Sequence, residues 1–277
     1  MRGVRGVRVG ALLVALGLIV AACGGGDDEG GDAGTGGGTE TKQVGLVYDI
    51  GGRGDQSFND SAGAGIDAAK QEQGDKVEVR EIEPNADGSN RKELLDSLAD
   101  EGYGLVFGVG FLFSEDIAKS ATEAPDTTFA VIDGFDPLCN EQGKNLLCIS
   151  FKEEEGSFLV GAAAALKTES NTVGFVGGLE GDLIKKFQAG YEAGVKYIAD
   201  QEGKDIEVLV DYAGNTPEAF RNPAKGKELA LKQIGDGADV IYHASGGTGA
   251  GVISAAAAEQ VYAIGVDSDQ SLTASEA

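Results

Sequence analysis

The chain of 277 residues has no tryptophan, one histidine, three cysteines and five prolines. Each scarcity excludes something. With His243 as the only imidazole and no H-E-x-x-H or G-x-S-x-G pattern, the common metal-hydrolase and serine-nucleophile constellations are missing. Three cysteines without a C-x-x-C pair or a histidine cluster exclude a zinc module. Basic residues are also few. Lys and Arg total 22 against 46 Asp and Glu, a formal charge of -24, which argues against nucleic acid or an anionic membrane surface as the partner of the folded part. Hydrophobic residues still make up 42% of the chain, enough for a buried core.

What is present is ordered along the chain. Arg2, Arg5 and Arg8 precede a short apolar run, "ALLVALGLIVAA", that ends in small residues before Cys23. Residues 1–22 read as a secretory signal, the run being too short for a comfortable membrane span. The ending "VAAC" resembles a lipobox, in which the cysteine is lipidated and becomes the mature N-terminus; the alternative is an ordinary signal peptide with a chance cysteine. Residues 23–41 then form a glycine- and acid-rich tether with no large apolar side chain. The expected arrangement is a globular body held at the outer face of a cell membrane. Export places Cys139 and Cys148 in an oxidising compartment, and the short loop between them lets its ends meet, so a disulfide is expected over two buried thiols.

From Lys42 onward, strand-like and helix-like segments alternate. The first series runs from "QVGLVYDI" through "TTFAVIDG" to "NLLCISF". The second starts with the helical "EEEGSFLVGAAAALKTES" and ends at "VYAIGVDSD". This is the pattern of parallel sheets with crossover helices. An α/β fold of two lobes is expected, with an N-terminal lobe over 42–151 and a second over 152–277, the latter read as incomplete. Ligands of open α/β sheets bind beyond the carboxyl ends of the strands. Those ends carry Asp49, Gly108–Phe111, Asp133, Gly177–Gly181, Ser245–Gly249 and Asp267.

The glycine-rich turn "GVGFLF" lacks a third glycine and "GGTGAG" lacks the lysine of a phosphate-binding loop, so both read as tight strand-to-helix turns. Asp49, Asp133 and Asp267 could supply a glycosidase carboxylate pair, but strand-end aspartates more often hold ligand hydroxyls or cap helices, so no enzyme is expected. Arg53-Gly54-Asp55 reads as a chance tripeptide in a turn. The stretch "GGRGDQSFND" is more informative. Ser57 or Asp55 can cap the helix that begins near Phe58, but a cap does not account for an aromatic at a strand end. Phe58 can lie against a planar ligand, with Asn59 offering a donor and an acceptor. Phe187, just after "GGLEGD", can supply the opposite face or pack in the core.

Five stretches, "DQSFND", "EEEGSFLVGAAAAL", "KKFQAGYEAGVKY", "HASGGTGAGV" and "GVDSDQ", occur in that order. Together they resemble the basic membrane protein family of substrate-binding lipoproteins, the purine-nucleoside receptors of ABC importers, over about Val44 to Gln270. The resemblance implies a two-lobed periplasmic-binding-protein fold of the sugar-receptor type with a nucleoside between the lobes. Phe58 and Phe187 would sandwich the base, and Asn59 and Asp133 would bond its edge with Asp49 beside them. Asp267 would accept from the ribose hydroxyls near the Gly246–Gly247 turn. Family members carry a further lysine near the ribose in a segment beyond Gln270. The implied partners are a nucleoside and an ABC permease, for a monomer with no cofactor, no metal and no nucleic-acid partner. A receptor for a sugar or another small polar ligand, for transport or sensing, is the alternative; the missing tryptophan weighs against a stacked pyranose.

Overall fold

The computed structural model describes residues 41–134, 139 and 145–273. The signal-like segment, Cys23 and nearly all of the tether lie outside the described residues. Two all-parallel sheets follow one another along the chain. The first contains β1 (Lys42–Val47), β2 (Val77–Ile82), β3 (Leu105–Val109), β4 (Thr128–Ile132) and β5 (Leu146–Ile149), in the order β2-β1-β3-β4-β5. The second contains β6 (Thr172–Leu179), β7 (Glu207–Gly214), β8 (Val240–Ala244) and β9 (Tyr262–Ile264), in the order β7-β6-β8-β9. Where the sequence suggests a last strand over "VYAIGVDSD", pairing to β8 covers only Tyr262–Ile264. The rest bends away to make the loop that carries Asp267.

Each sheet is covered on both faces, which is why its central strands read as unbroken apolar runs. In the first lobe α1 (Phe58–Gln73) covers one face, where Leu46, Tyr48, Ile66 and Val109 pack together. Helices α2 (Arg91–Asp100) and α3 (Ser114–Glu123) cover the other, over Leu95, Leu98, Val106, Phe113, Ile117 and Phe129. The Cys139–Cys148 disulfide is formed and lies against this second cluster.

In the second lobe α4 (Glu153–Lys167) and α5 (Asp182–Glu202) cover a core of Phe175, Tyr191, Val195 and Tyr242. Helices α6 (Pro223–Gly235) and α7 (Gly249–Glu259) cover Val176, Leu229, Ile241 and Val252 on the other face. Local signals place these helices. Pro223 at the first helical position and the Asn222 side chain, which accepts from Lys225 N–H at 3.0 Å, start α6. Gly203, with φ 65°, ends α5 in the left-handed conformation. Helices α4 and α5 meet backbone to backbone: a Cβ on Gly161, Gly190 or Gly194 would lie 2.0–2.3 Å from a carbonyl oxygen of the facing helix. That contact seats α5 one turn beyond Phe187, at Gly190.

Candidate functional site

The carboxyl ends of both sheets open onto one cleft with an empty volume of about 600 Å³. All eight residues expected to bind ligand from the sequence line it: Asp49, Phe58, Asn59 and Asp133 from the first lobe, and Phe187, Gly246, Gly247 and Asp267 from the second. A second, mostly apolar chamber adjoins it and shares Phe58, Asp133, Phe187 and Asp267. The two phenylalanines therefore stand at the junction of the chambers. Each also leans on the core of its own lobe, Phe58 against the Leu46 cluster and Phe187 against the Phe175 cluster.

The turn before α1 is built by Asp55. Its carboxylate accepts from the N–H groups of Ser57 at 2.9 Å, Asn59 at 2.9 Å and Asp60 at 3.1 Å. Between the two candidate caps, the sequence left the choice open; the aspartate does the capping and Ser57 turns its hydroxyl elsewhere. Arg53 is held to Asp67 at 2.9 Å and to Glu81 at 2.8 Å. The Arg-Gly-Asp tripeptide is thus absorbed by the turn. Asn59 is also partly committed: its Oδ1 accepts from Asp49 N–H at 3.0 Å. Its amide NH₂ is the group left to face the cleft.

Asp49 is buried beside Arg91, a residue the sequence reading missed. Asp49 Oδ1 accepts from Ile50 N–H at 2.7 Å and from Arg91 Nη2 at 3.3 Å. Arg91 also donates to Gly88 O at 3.2 Å and lies 5.5 Å from the Phe113 ring centroid. Burial pushes the Asp49 pKa up, while the Ile50 amide and the guanidinium oppose that rise. Gly110 completes this wall. Its φ is 105°, and a Cβ there would come within 2.5 Å of Asp49 Oδ2, so only glycine fits both the backbone and the space.

The acidic residues of the cleft have unusual affinities for protons. Asp133 is pushed up to about 7, first by burial and then by the charges of Glu153 and Asp267, against the pull of Lys186. Asp267 is pushed up to about 6, again by burial, with the Ser57 hydroxyl opposing. Glu153, buried at the start of α4, pairs with Lys186 Nζ at 3.3 Å. Both Asp133 and Asp267 have left-handed backbone, with φ of 62° and 65°. Such conformations in non-glycine residues cost free energy and collect at sites of function.

Phe111, in a strand end the sequence already marks, and Phe220, which sequence reasoning missed, line the same cleft from opposite lobes. Their rings meet edge to face, with centroids 6.4 Å apart and planes at 77°. Phe111 follows β3 at a strand end already marked as informative, so its position was the available signal. Phe220 lies in a 3-10 turn well past β7, and nothing in the periodicity singles it out. Among the described residues no acidic, histidine or cysteine cluster has the makings of a metal site, and no helix is long and apolar enough to cross a membrane.

Two doubly wound lobes with a shared cleft at their strand ends define a bilobed ligand-receptor class. The comparisons name the family within it. The chain belongs to the PnrA-like ABC transporter substrate-binding proteins, the Bmp family, whose model matches residues 42–277. It is 34% identical over 277 residues to the ABC transporter nucleoside-binding protein BmpA of Lactococcus lactis subsp. cremoris, covering 96% of this chain and 74% of that protein. Among solved structures, an ABC transporter solute-binding protein from Aeropyrum pernix K1 superposes with a TM-score of 0.72 at 33% identity, over 81% of this chain and 61% of that one. A sugar transporter structure from Clostridium phytofermentans, at 14% identity and a TM-score of 0.61, covers 83% of each chain and shares the fold alone.

Proposed function

We propose that the cleft captures a nucleoside, a purine nucleoside by preference, for delivery to an ABC permease. The observation that carries this reading is the pairing of rings and acids in one cavity: Phe58 and Phe187 from opposite lobes, with Asp133 and Asp267 beside them. A base between the rings gains stacking on both faces. The Asn59 NH₂ and Asp133 face its edge, Asp133 able to donate when protonated and to accept when ionised. Asp267 offers acceptor oxygens to a vicinal diol, with the Gly246–Gly247 turn allowing the sugar close to the backbone. Asp49 lies behind, held by Arg91. The relative from Lactococcus that is named a nucleoside-binding protein supports the ligand class.

The mechanism is capture by closure. A ligand that touches both lobes favours the closed form by its differential affinity, and no bond is made or broken. Lipidation at Cys23 would tether the receptor to the membrane, with the acidic linker keeping it in reach of the permease. Calorimetric titration against adenosine, guanosine, cytidine, ribose and galactose tests the reading. Purine nucleosides bind most tightly if it is right. Binding of ribose or galactose without nucleoside binding refutes it, and turnover of any of these ligands refutes the receptor mechanism.

A further inference from the structure

Ser57 stands at the start of α1 with its hydroxyl unused by the helix. That hydroxyl donates instead to Asp267 Oδ2 at 2.5 Å, in the other lobe and 210 residues along the chain. A second bond crosses beside it: Gln270 Nε2 donates to Gln56 O at 2.9 Å. Neither Ser57 nor Gln270 lines the cleft or the adjoining chamber. Both are buried, Ser57 at 0% and Gln270 at 5% exposure.

The orientation of the Gln270 amide is chemically fixed. Its Oε1 accepts from Val266 N–H at 2.9 Å and lies 3.0 Å from His243 Nε2. His243 is fully buried, and burial pulls its pKa down to about 4, so the ring is neutral at ordinary pH. Gln270 Oε1 can only accept, so His243 Nε2 carries the hydrogen, and Nδ1, 3.4 Å from Ser245 Oγ, is left to accept from that hydroxyl. With two donors on Oε1, the NH₂ has to point at the Gln56 carbonyl. A chain of polar groups thus runs from Ser245 in the cleft wall, through His243 and Gln270, to the first lobe. At its far end Gln56 has φ 54°, left-handed like Asp267.

We propose that Ser57 and Gln270 are positioning residues that clasp the two lobes at Asp267 and so set ligand affinity without touching the ligand. Ser57 aligns the carboxylate, and Gln270 locks the loop that carries it. Both strained backbone positions are tied into the clasp, as expected where surroundings hold a residue in a costly conformation. The groups facing Asp267 are Asp55 and Ser57 from the turn before α1, Asp133 after β4 and Tyr242 on β8. Glu153 and Lys186 face Asp133. The Ser57 bond lowers the proton affinity of Asp267, and its removal raises it.

The affinity arm of the test rests on the nucleoside reading; the distance arm does not. Guanosine is titrated into wild type and Ser57→Ala across pH 4.5 to 8. In parallel, Lys119→Cys and Lys196→Cys are spin-labelled in a Cys23→Ser background, with the Cys139–Cys148 bond intact, and the interlobe distance is measured in wild type, Ser57→Ala and Gln270→Met. Ser57→Ala is expected to weaken guanosine on the order of tenfold, the loss of one charge-assisted hydrogen bond. It also moves the acid-side loss of binding to higher pH, which a merely structural serine would not do. Gln270→Met is expected to broaden the interlobe distance distribution. An unchanged affinity and pH profile in Ser57→Ala, or distance distributions as narrow as wild type in both variants, overturns the proposal. If wild type binds no guanosine, the nucleoside reading fails while the distances still decide the clasp.

Discussion

Arg91 Nη2 lies 3.3 Å from Asp49 Oδ1, and both side chains are almost entirely shielded from water. A buried pair of this kind contributes little as a pair, yet removing one member strands the other. Arg91→Ala is therefore expected to destabilise the first lobe by about 3–5 kcal/mol, read as a lower denaturation midpoint with an unchanged slope. A midpoint within error of wild type would mean that Asp49 is protonated without its partner.

The aromatic walls are expected to act on binding more than on folding. Phe58→Ala and Phe187→Ala should each cost about 1–3 kcal/mol of nucleoside affinity. Each ring is only half-buried against its lobe, so the loss of melting temperature should be modest beside the loss of affinity. Titration together with thermal melting separates the two; a stability loss with unchanged affinity would assign the ring to the core alone.

Asp133 and Asp267 set a pH dependence with a definite sign. Their folded pKa values, about 7 and about 6, lie above the ordinary carboxylate value. Between that ordinary value and about 7 the folded chain binds more protons than the unfolded one, so these groups make stability fall as pH rises. Asp133→Asn removes one charge from the cluster with Glu153 and Asp267. It is expected to flatten the fall and raise the melting temperature near pH 7.5. A steeper fall in the variant would contradict the assignment.

Reduction of the Cys139–Cys148 bond releases a loop whose ends are nine residues apart in sequence. Chain-entropy arguments put its contribution at about 2–3 kcal/mol. Melting with and without reductant should show a corresponding loss, since Cys139 and Cys148 rest on the core formed by Phe113 and Phe129.

The layout of strands and helices was legible because doubly covered parallel strands leave continuous apolar runs, as in "YGLVFGVG" and "ADVIYHAS", between amphipathic segments. Strand ends then read as a cleft wall, which brings Asp49, Asp133 and Asp267 together from the sequence alone. Arg91 was not legible: a lone arginine at the start of an exposed-looking helix carries no mark of burial. Nor was the Ser57–Asp267 bond, which joins positions 210 residues apart and depends on how two lobes meet rather than on any local pattern. The sequence offers Asn59 as both donor and acceptor, because it does not show that the Asp49 amide already claims its oxygen.

The glycines at 161, 190 and 194 bring the main chains of α4 and α5 against each other with no side chain between them. A joint without cushioning transmits displacement rather than absorbing it. Glu153 at one end of α4 and Phe187 on the facing α5 must then travel together whenever this half of the molecule swings. One edge of the ligand chamber is therefore built as a single stiff block of two helices.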